Sequence, residues 1–310
     1  MNALNKTYKA LYKYRRWTAG ALAAGLALKN ALPHLLPVNV FMTYNASLDL
    51  GAFPVEHLVW LIRDAVEDVG RVDANIIPFV STGVDVNSAG FNLLSTFKQP
   101  CVVGVPKNFF CSNFLEFEKI NVRFNNNKNR MGRQGPNERK LLQAMIMSNS
   151  AQKFAVASHV LFIKQNWAIL KSLIPSFFVL VGYVLCVHGP RLLFARGKPV
   201  SLLLIYQTTI ACLLVTMFLC KASKSTFMQW MVNSIDKEAA SLSKDHAEGG
   251  IEYLQKLRER NMAQRTLLGK KGEKLFTAYG NHKDGLIFNR YGPPLTEREK
   301  KLVKIRDSVA

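Results

Sequence analysis

Residues that could catalyse a reaction or bind a metal are scattered along this chain of 310 residues. The sequence has no H-E-x-x-H zinc motif, no G-x-S-x-G nucleophile motif and neither of the common glycine-rich nucleotide-binding motifs. Its six histidines show no metal-ligand spacing: His34, His57, His159, His188, His246 and His282. The sequence therefore predicts no catalytic residue, no cofactor and no metal.

Two segments match known motifs only in part. Leu268 is followed by Gly-Lys-Lys-Gly-Glu-Lys, which lacks the glycine spacing and the hydroxyl residue of a phosphate loop, so we interpret it as a solvated turn that ends a helix. Ser88 has no flanking glycine before it, so a tight turn is favoured over a nucleophile. Glu116 and Glu118 interrupt the one pattern of aromatic and basic residues that RNA binding would use, and no nucleic-acid partner is expected.

Two long uncharged segments occupy the second half of the chain. Nineteen uncharged residues lie between Lys171 and Arg191, and 22 lie between Lys198 and Lys221. A helix needs about 20 mainly apolar residues to cross the hydrocarbon core of a bilayer. A buried hairpin in a soluble protein is disfavoured because two such runs so close together rarely stay in water. The pattern predicts a transmembrane hairpin at 172–220, with a polar turn at 188–199.

The charge distribution also indicates a membrane protein. Apolar residues make up 49% of the chain, which excludes a disordered protein. The net charge of +20 comes from 41 Lys and Arg against 21 Asp and Glu, and residues 1–48 hold six bases and no acid. The excess of bases is most concentrated in this N-terminal arm and beside the uncharged segments, which favours a membrane address over a nucleic-acid interface.

The N-terminal arm has two interpretations. Its bases alternate with aromatic residues, which is typical of a peripheral or mitochondrial import helix. A third membrane span at 17–38 is the alternative, although Lys29, Pro33, His34 and Pro37 interrupt it. The first interpretation is favoured, and both remain open at this point.

The remaining regions predict a small soluble unit with strands, flanked by helices. Pro54 to Val69 is predicted to be a helix that buries one face. That face comprises Val55, Leu58, Val59, Ile62, Val66 and Val69. Short apolar or alternating runs then predict strands at 75–80, 84–86, 101–105 and 114–124, followed by a polar loop at 125–136.

Further helices are predicted on both sides of the hairpin. One begins at Asn137 and continues to the first span, and another leaves the second span. Gly249 and Gly250 are predicted to break the latter, and Thr296-Glu-Arg-Glu to cap the last helix. The fold class is thus an α+β membrane protein with a two-span hairpin, long flanking helices and a small β-containing soluble unit. The predicted regions are a basic arm (1–48), an α+β unit (49–136), an amphipathic helix (137–171), the hairpin (172–220) and a basic helical region (221–310).

Polar residues within the hairpin are the candidate site. Gln207, Thr208 and Thr209 are consecutive, so they cannot all face one neighbouring helix at 100° per residue. We expect at least one of them to contact another protein's membrane helix, since helices in lipid associate through small residues and hydrogen bonds. The alternative is that these residues join the two spans. Cys101 and Cys111 are interpreted as unrelated buried thiols, with a disulfide left open.

Several blocks together resemble the transmembrane protein 177 family. They are Val86–Phe91, Val103–Pro106, Ala151–Ala155, Ala240–Ser243, Gly249–Tyr253 and Leu267–Thr277 with Gly280-Asn281. The resemblance implies a multi-pass protein of the mitochondrial inner membrane with a non-enzymatic role in cytochrome c oxidase biogenesis. It implies two partners besides the lipid bilayer: newly made oxidase subunit II, before its copper site is filled, and the small membrane chaperone that holds this subunit.

The sequence leaves two questions open. The first is the orientation in the membrane: the basic arm and the basic loop between the spans both favour the matrix, which two spans cannot satisfy and a third span at 17–38 can, and two spans are favoured. The second question is the function class, because a membrane-anchored enzyme or lipid-handling protein without a recognisable motif is the alternative to a scaffold. A pocket with strongly perturbed titratable residues would favour the alternative, and an exposed apolar patch beside the hairpin would favour the scaffold.

Overall fold

The chain folds into two units. The hairpin unit comprises Met1–Pro33 and Ala168–Phe227, and the core unit comprises His34–Trp167 and Met228–Ala310. The computed structural model describes residues 2–35, 55–70, 72, 75–93, 100–111, 135–193, 202–283 and 292–309. The strand predicted at 114–124 and most of the predicted loop at 125–136 lie outside the described residues.

The described elements are mainly helical. The helices are α1 (Asn2–Leu35), α2 (Val55–Val69), α3 (Pro136–Gln143), α4 (Asn149–Lys164), α5 (Trp167–Leu193), α6 (Leu202–Ala240), α7 (Lys244–Leu267), α8 (Lys270–Leu275) and α9 (Leu295–Val309). The strands are β1 (Ile76–Ser81), β2 (Asn87–Ala89) and β3 (Cys101–Pro106), and a 3-10 helix follows at Lys107–Phe110. This content confirms the predicted fold class, with α5 and α6 forming the hairpin.

The three described strands form one sheet in the order β1-β3-β2. β1 runs parallel to β3 with Ile76 opposite Cys101, and β2 runs antiparallel to β3 with Asn87 opposite Gly104. Every residue of the central strand β3 is buried, which explains why it is a nearly continuous apolar run. The strand predicted at 84–86 is wrong: these residues form a bend and lead into β2, and the Asp85 carboxylate binds Arg260.

Helix α2 forms where the periodicity predicts it, but its buried face differs in part. The buried side chains are those of Leu58, Leu61, Ile62, Ala65 and Val69. Val59, which we placed on this face, is 45% exposed. The predicted set of residues and the observed set both have the spacing of one helix face. The packing of α2 against α4 determines which face is buried.

The single helix predicted from Asn137 is wrong, because the structure contains two helices there. The break after α3 is followed by an N-cap at Ser148, whose hydroxyl accepts a hydrogen bond from the amide of Ala151 at 3.2 Å. A second break separates α4 from α5 at Asn166, which has a φ of 54°. The Asn166 side chain accepts a hydrogen bond from the amide of Leu93 at 2.9 Å, so this junction is tied to the end of the sheet region.

The predicted break at Gly249 and Gly250 is also wrong, since both residues lie inside α7. The chain instead breaks before α7, where the Ser243 hydroxyl accepts a hydrogen bond from the amide of His246 at 3.2 Å. Gly249 and Gly250 are buried where α7 packs closely against α4. Glycine is present here because it leaves room for a neighbouring helix.

The predicted cap of the last helix is wrong, although the helix itself forms. α9 begins at Leu295, one residue before Thr296, so Thr296 is a helical residue and not the N-cap. Its amide and hydroxyl are held by the side chain of Asn281, at 3.2 and 3.1 Å. The helix start is therefore stabilised by a residue distant in the sequence. By contrast, α7 ends as predicted before Gly269, which has a φ of 54°.

The core unit is organised around α7. This helix packs against α3, α4 and α9, and α4 also packs against α2 and the sheet. Its core therefore joins residues that precede the hairpin to residues that follow it. A chain that packs in this way has both flanking regions of the hairpin on the same side of the membrane, as an even number of intervening spans requires.

The two cysteines of the core unit are free thiols. Cys101 and Cys111 are both buried and form no disulfide. Burial raises the pKa of the Cys101 thiol to about 11, although a hydrogen bond with the backbone of Phe91 acts in the opposite direction. Cys101 is therefore a protonated packing residue in the sheet at neutral pH.

Candidate functional site

The two hairpin helices are exposed along their apolar lengths. The segments long and apolar enough to cross a bilayer are Trp167–His188 and Tyr206–Ala240, and α1 is not among those found in the described residues. Only 17% and 11% of their most apolar windows are buried in the protein. A core helix of a soluble protein would be mostly buried, so these faces are suited to lipid or to another membrane helix. The turn predicted at 188–199 starts too early in the prediction, because α5 continues to Leu193.

Small and polar residues bring α5 and α6 together. A Cβ atom added at Gly182 would lie 3.0 Å from Cγ2 of Thr216, and Thr216 is buried. Further along the same two helices, the Cys186 thiol lies 3.9 Å from the carbonyl oxygen of Thr209. The Thr216 hydroxyl donates to the carbonyl of Cys212, so it needs no partner on the other helix. We call this contact the hairpin seam, and its close packing is typical of helices in lipid.

The structure separates the three predicted site residues. Thr209 lies at the hairpin seam through its backbone carbonyl. The Thr208 hydroxyl donates within its own helix to the carbonyl of Leu204. Gln207 is exposed, and its side-chain amide forms no hydrogen bond within the part of the chain that the structure describes. Of the three, Gln207 therefore has the free hydrogen-bonding groups that a neighbouring membrane helix can use.

A polar network that the sequence did not reveal lies in the core unit. Arg260 donates two hydrogen bonds to Asp85, at 2.6 and 3.4 Å, and Arg298 donates two to Asp236, at 2.7 and 2.9 Å. Both pairs lie near Tyr253, whose pKa is raised by burial and by the negative charge of Asp85. Because the partners in these pairs lie 175 and 62 residues apart, no local sequence pattern predicts the pairing.

The network borders a cavity of about 190 Å³. Its lining residues come from the bend before β2, from α7, from the residues between α8 and α9, and from α9: Asp85, Tyr253, Leu257, Arg260, Asn261, His282, Gly292, Pro293, Pro294, Leu295 and Arg298. Burial alone would lower the pKa of Arg298, but the Asp236 carboxylate outweighs it and raises that pKa above its usual value. Arg298 thus stays charged, and both arginines are already bound to carboxylates, an arrangement that positions α7 and α9.

Ser88 lies in strand β2, so the tight turn predicted for it is wrong. Its hydroxyl is 2.9 Å from Nδ1 of His159 on α4, and this contact joins the sheet to the helix layer. Burial lowers the pKa of His159 to about 4, and the attraction of Asp85 opposes the change. A histidine with so low a pKa is a weak base at neutral pH. The pair is therefore better suited to packing than to activating a nucleophile.

The His159 pKa predicts an acid-sensitive core unit. Folding lowers this pKa from 6.5 to about 4, so the unfolded chain binds the proton more readily between these values. Stability should fall as the pH falls from 6.5 towards 4, by up to roughly 3 kcal/mol from this group. The melting temperature of detergent-purified protein should therefore decline less steeply in His159→Gln than in the wild type. Parallel declines in the two proteins would assign the acid sensitivity to other groups.

Comparison with known proteins places the chain in a family. A mouse (Mus musculus) protein named Transmembrane protein 177 is 30% identical over 227 residues, which cover 73% of this chain and 70% of the mouse protein. The chain belongs to the transmembrane protein 177 family. The Xenopus laevis protein of the same name is 26% identical over 298 residues, covering 94% of this chain and 93% of that relative. The human protein is 27% identical over 247 residues.

The similarity to the transmembrane protein 177 family extends over most of the chain. The name of these relatives agrees with the two exposed apolar helices, and the chain is a membrane protein. No family model matches the sequence. No solved structure matches it either.

Proposed function

We propose that this chain is a non-enzymatic scaffold of the mitochondrial inner membrane. In this role it stabilises newly made cytochrome c oxidase subunit II, bound to its membrane chaperone, during assembly of the oxidase. The observation that carries the proposal is the family membership, together with the role that the family resemblance implies. The acid-free, basic sequence of residues 1–48 supports a mitochondrial location.

The hairpin supports a role in binding a membrane-embedded partner. Its outward faces carry large apolar side chains, among them Phe177, Ile210 and Leu214, which are 56% to 62% exposed. Such faces pack against lipid or against the helices of another protein by van der Waals contact. Gln207 adds hydrogen-bonding groups to the outward face of α6, and a polar partner in lipid gives that contact specificity.

A membrane-anchored enzyme or lipid-handling protein is the second candidate function, favoured by the polar cavity of about 190 Å³ beside Tyr253. Ligand pockets for drug-sized molecules are larger, about 300–1,000 Å³. The arginines that line the cavity are bound to Asp85 and Asp236. These features support a structural role for the network, and they make the scaffold the preferred proposal.

Affinity purification tests the scaffold directly. Mitochondrial translation products are pulse-labelled, the tagged chain is purified under mild solubilisation, and the labelled products are identified. We expect labelled subunit II and its chaperone to co-purify, with the largest amount soon after the pulse. Absence of labelled subunit II, combined with a normal oxidase level after deletion of the protein, would refute the proposal.

Substitution of the three candidate residues tests the contact surface. Gln207→Leu with Thr208→Val and Thr209→Val should preserve membrane insertion but lower co-purification of the partners by roughly threefold to tenfold. Gln207→Leu alone should account for most of the loss, because Thr208 is already bonded within its helix. Thr216→Val at the hairpin seam is the matched control and should leave co-purification unchanged. If the triple variant lowers the level of the protein itself, these residues join the two spans instead.

A further inference from the structure

The hairpin unit contains no acidic residue. Its two stretches, 1–33 and 168–227, hold twelve Lys and Arg and no Asp or Glu, so all 21 acidic residues of the chain lie in the core unit. No carboxylate of the hairpin unit can therefore neutralise its bases. Any anion bound to them must come from outside this unit, and in a membrane the nearest abundant anions are the phosphates of lipid headgroups.

Three of these bases lie where the hairpin leaves the membrane. Residues 202–220 of α6 have no charge and span about 28 Å, close to the hydrocarbon thickness of about 30 Å. Lys221 and Lys224 follow directly, three residues apart and so on neighbouring positions of the same helix face. On α5, Lys171 directly precedes the uncharged run. All three lysines thus border the uncharged runs, where a membrane-spanning helix meets the lipid headgroups.

The antiparallel register of the hairpin brings Lys171 level with Lys224. Counting 15 residues from the Cys186–Thr209 contact along each helix leads to these two lysines. Their ammonium groups are close enough to interact electrostatically. Lys171 is partly buried, whereas Lys221 and Lys224 are exposed. None of the three binds a carboxylate within the described part of the chain.

Like charges that approach each other at a desolvated position repel, and an anion between them removes the repulsion. We infer that Lys171, Lys221 and Lys224 form a binding site for an anionic phospholipid headgroup at the base of the hairpin. Three positive charges match a lipid with two phosphates, such as cardiolipin, better than a lipid with one. Lysine suits this role because its flexible stem packs along apolar surface while its ammonium group reaches a phosphate.

Lipid-dependent thermal stability tests the site. The full-length chain in neutral detergent is mixed with phosphatidylcholine alone, or with added phosphatidylglycerol or cardiolipin at equal phosphate concentration, or with inorganic phosphate. We expect cardiolipin to raise the melting temperature most, phosphatidylglycerol less and inorganic phosphate least, since binding to the folded state stabilises it. The triple variant Lys171→Gln, Lys221→Gln, Lys224→Gln should require at least about tenfold more cardiolipin for the same shift.

Two matched variants distinguish lipid binding at this site from non-specific attraction of the lipid to positive charge. Lys244→Gln, Lys274→Gln, Lys304→Gln removes the same charge from exposed lysines of the core unit and should bind cardiolipin as the wild type does. The corresponding Lys→Arg triple at the proposed site keeps the charge and should retain binding, even if the Gln triple folds poorly. Equal stabilisation of the wild type by phosphatidylcholine and cardiolipin would overturn the inference. An equal shift of the melting temperature by inorganic phosphate would also overturn it. If the Gln triple loses co-purification of the partners while its lipid binding is unchanged, the lysines bind an acidic protein partner and the inference is likewise overturned.

Discussion

Replacing Asp236 by alanine should destabilise the core unit by about 3–5 kcal/mol, because it leaves the Arg298 guanidinium buried without its counter-charge. The Asp236 side chain is 7% exposed and that of Arg298 is 16% exposed, so water cannot replace the lost carboxylate. The raised pKa of Arg298 shows that the arginine stays charged. For a unit of about this size, the loss corresponds to a fall of about 10 °C in the melting temperature.

A double variant distinguishes the buried charge from lost packing. Asp236→Leu with Arg298→Met replaces the pair by apolar side chains of similar size and should recover most of the stability, because neither charge remains. Glu67→Ala provides the control at an exposed pair: Arg63 and Glu67 are 78% and 65% exposed, and this change should cost at most about 0.5 kcal/mol. If Asp236→Ala and the double variant were equally unstable, packing rather than charge would explain the loss.

The same ion pair illustrates what the sequence cannot predict. The membrane helices were predictable because 19 or more consecutive uncharged residues are a local signal that lipid imposes on composition. Helix α2 was predictable because its periodicity is local as well. Asp236 and Arg298 lie 62 residues apart on elements that meet only in the folded chain, and neither residue differs from an ordinary surface charge in the sequence. Their pairing depends on tertiary structure.

The errors in the helix boundaries have the same origin. The break between α3 and α4 depends on the Ser148 cap, whose amide and hydroxyl also donate to Glu252 of α7. The start of α9 depends on Asn281, from the segment after α8. Local propensity is a weak guide where a distant side chain supplies the cap.

The candidate site in the hairpin also has one feature that the sequence predicts and one that depends on tertiary structure. That Gln207, Thr208 and Thr209 cannot share one face follows from helix geometry alone, and the sequence therefore anticipated that they would separate. Which residue lies at the hairpin seam depends on the register of α5 against α6, and that register is set by the contact of Gly182 with Thr216. The lysine site at the base of the hairpin depends on the same register.

Gly249→Ala should destabilise the core unit although it adds only one methyl group. In an exposed helix interior, replacing glycine by alanine usually adds about 0.5–1 kcal/mol of stability. At position 249 the new Cβ would overlap the backbone carbonyl of Ser150 on α4. Backbone cannot rotate away as a side chain can, so α7 and α4 must move apart. We expect a net loss of about 3 kcal/mol, at the upper end of the usual cost of overpacking.

Two other glycines give a graded comparison for this effect. Gly250→Ala places its Cβ 2.7 Å from the Phe154 ring and 2.9 Å from Leu302, and since these are side chains that can shift, the loss should be smaller. Gly25→Ala in α1 has no atom within 4 Å of the new Cβ and should not lower the melting temperature. The expected order of melting temperatures is Gly25→Ala highest, then Gly250→Ala, then Gly249→Ala. A Gly249→Ala protein at least as stable as the wild type would show that α7 and α4 do not pack backbone to backbone at this position.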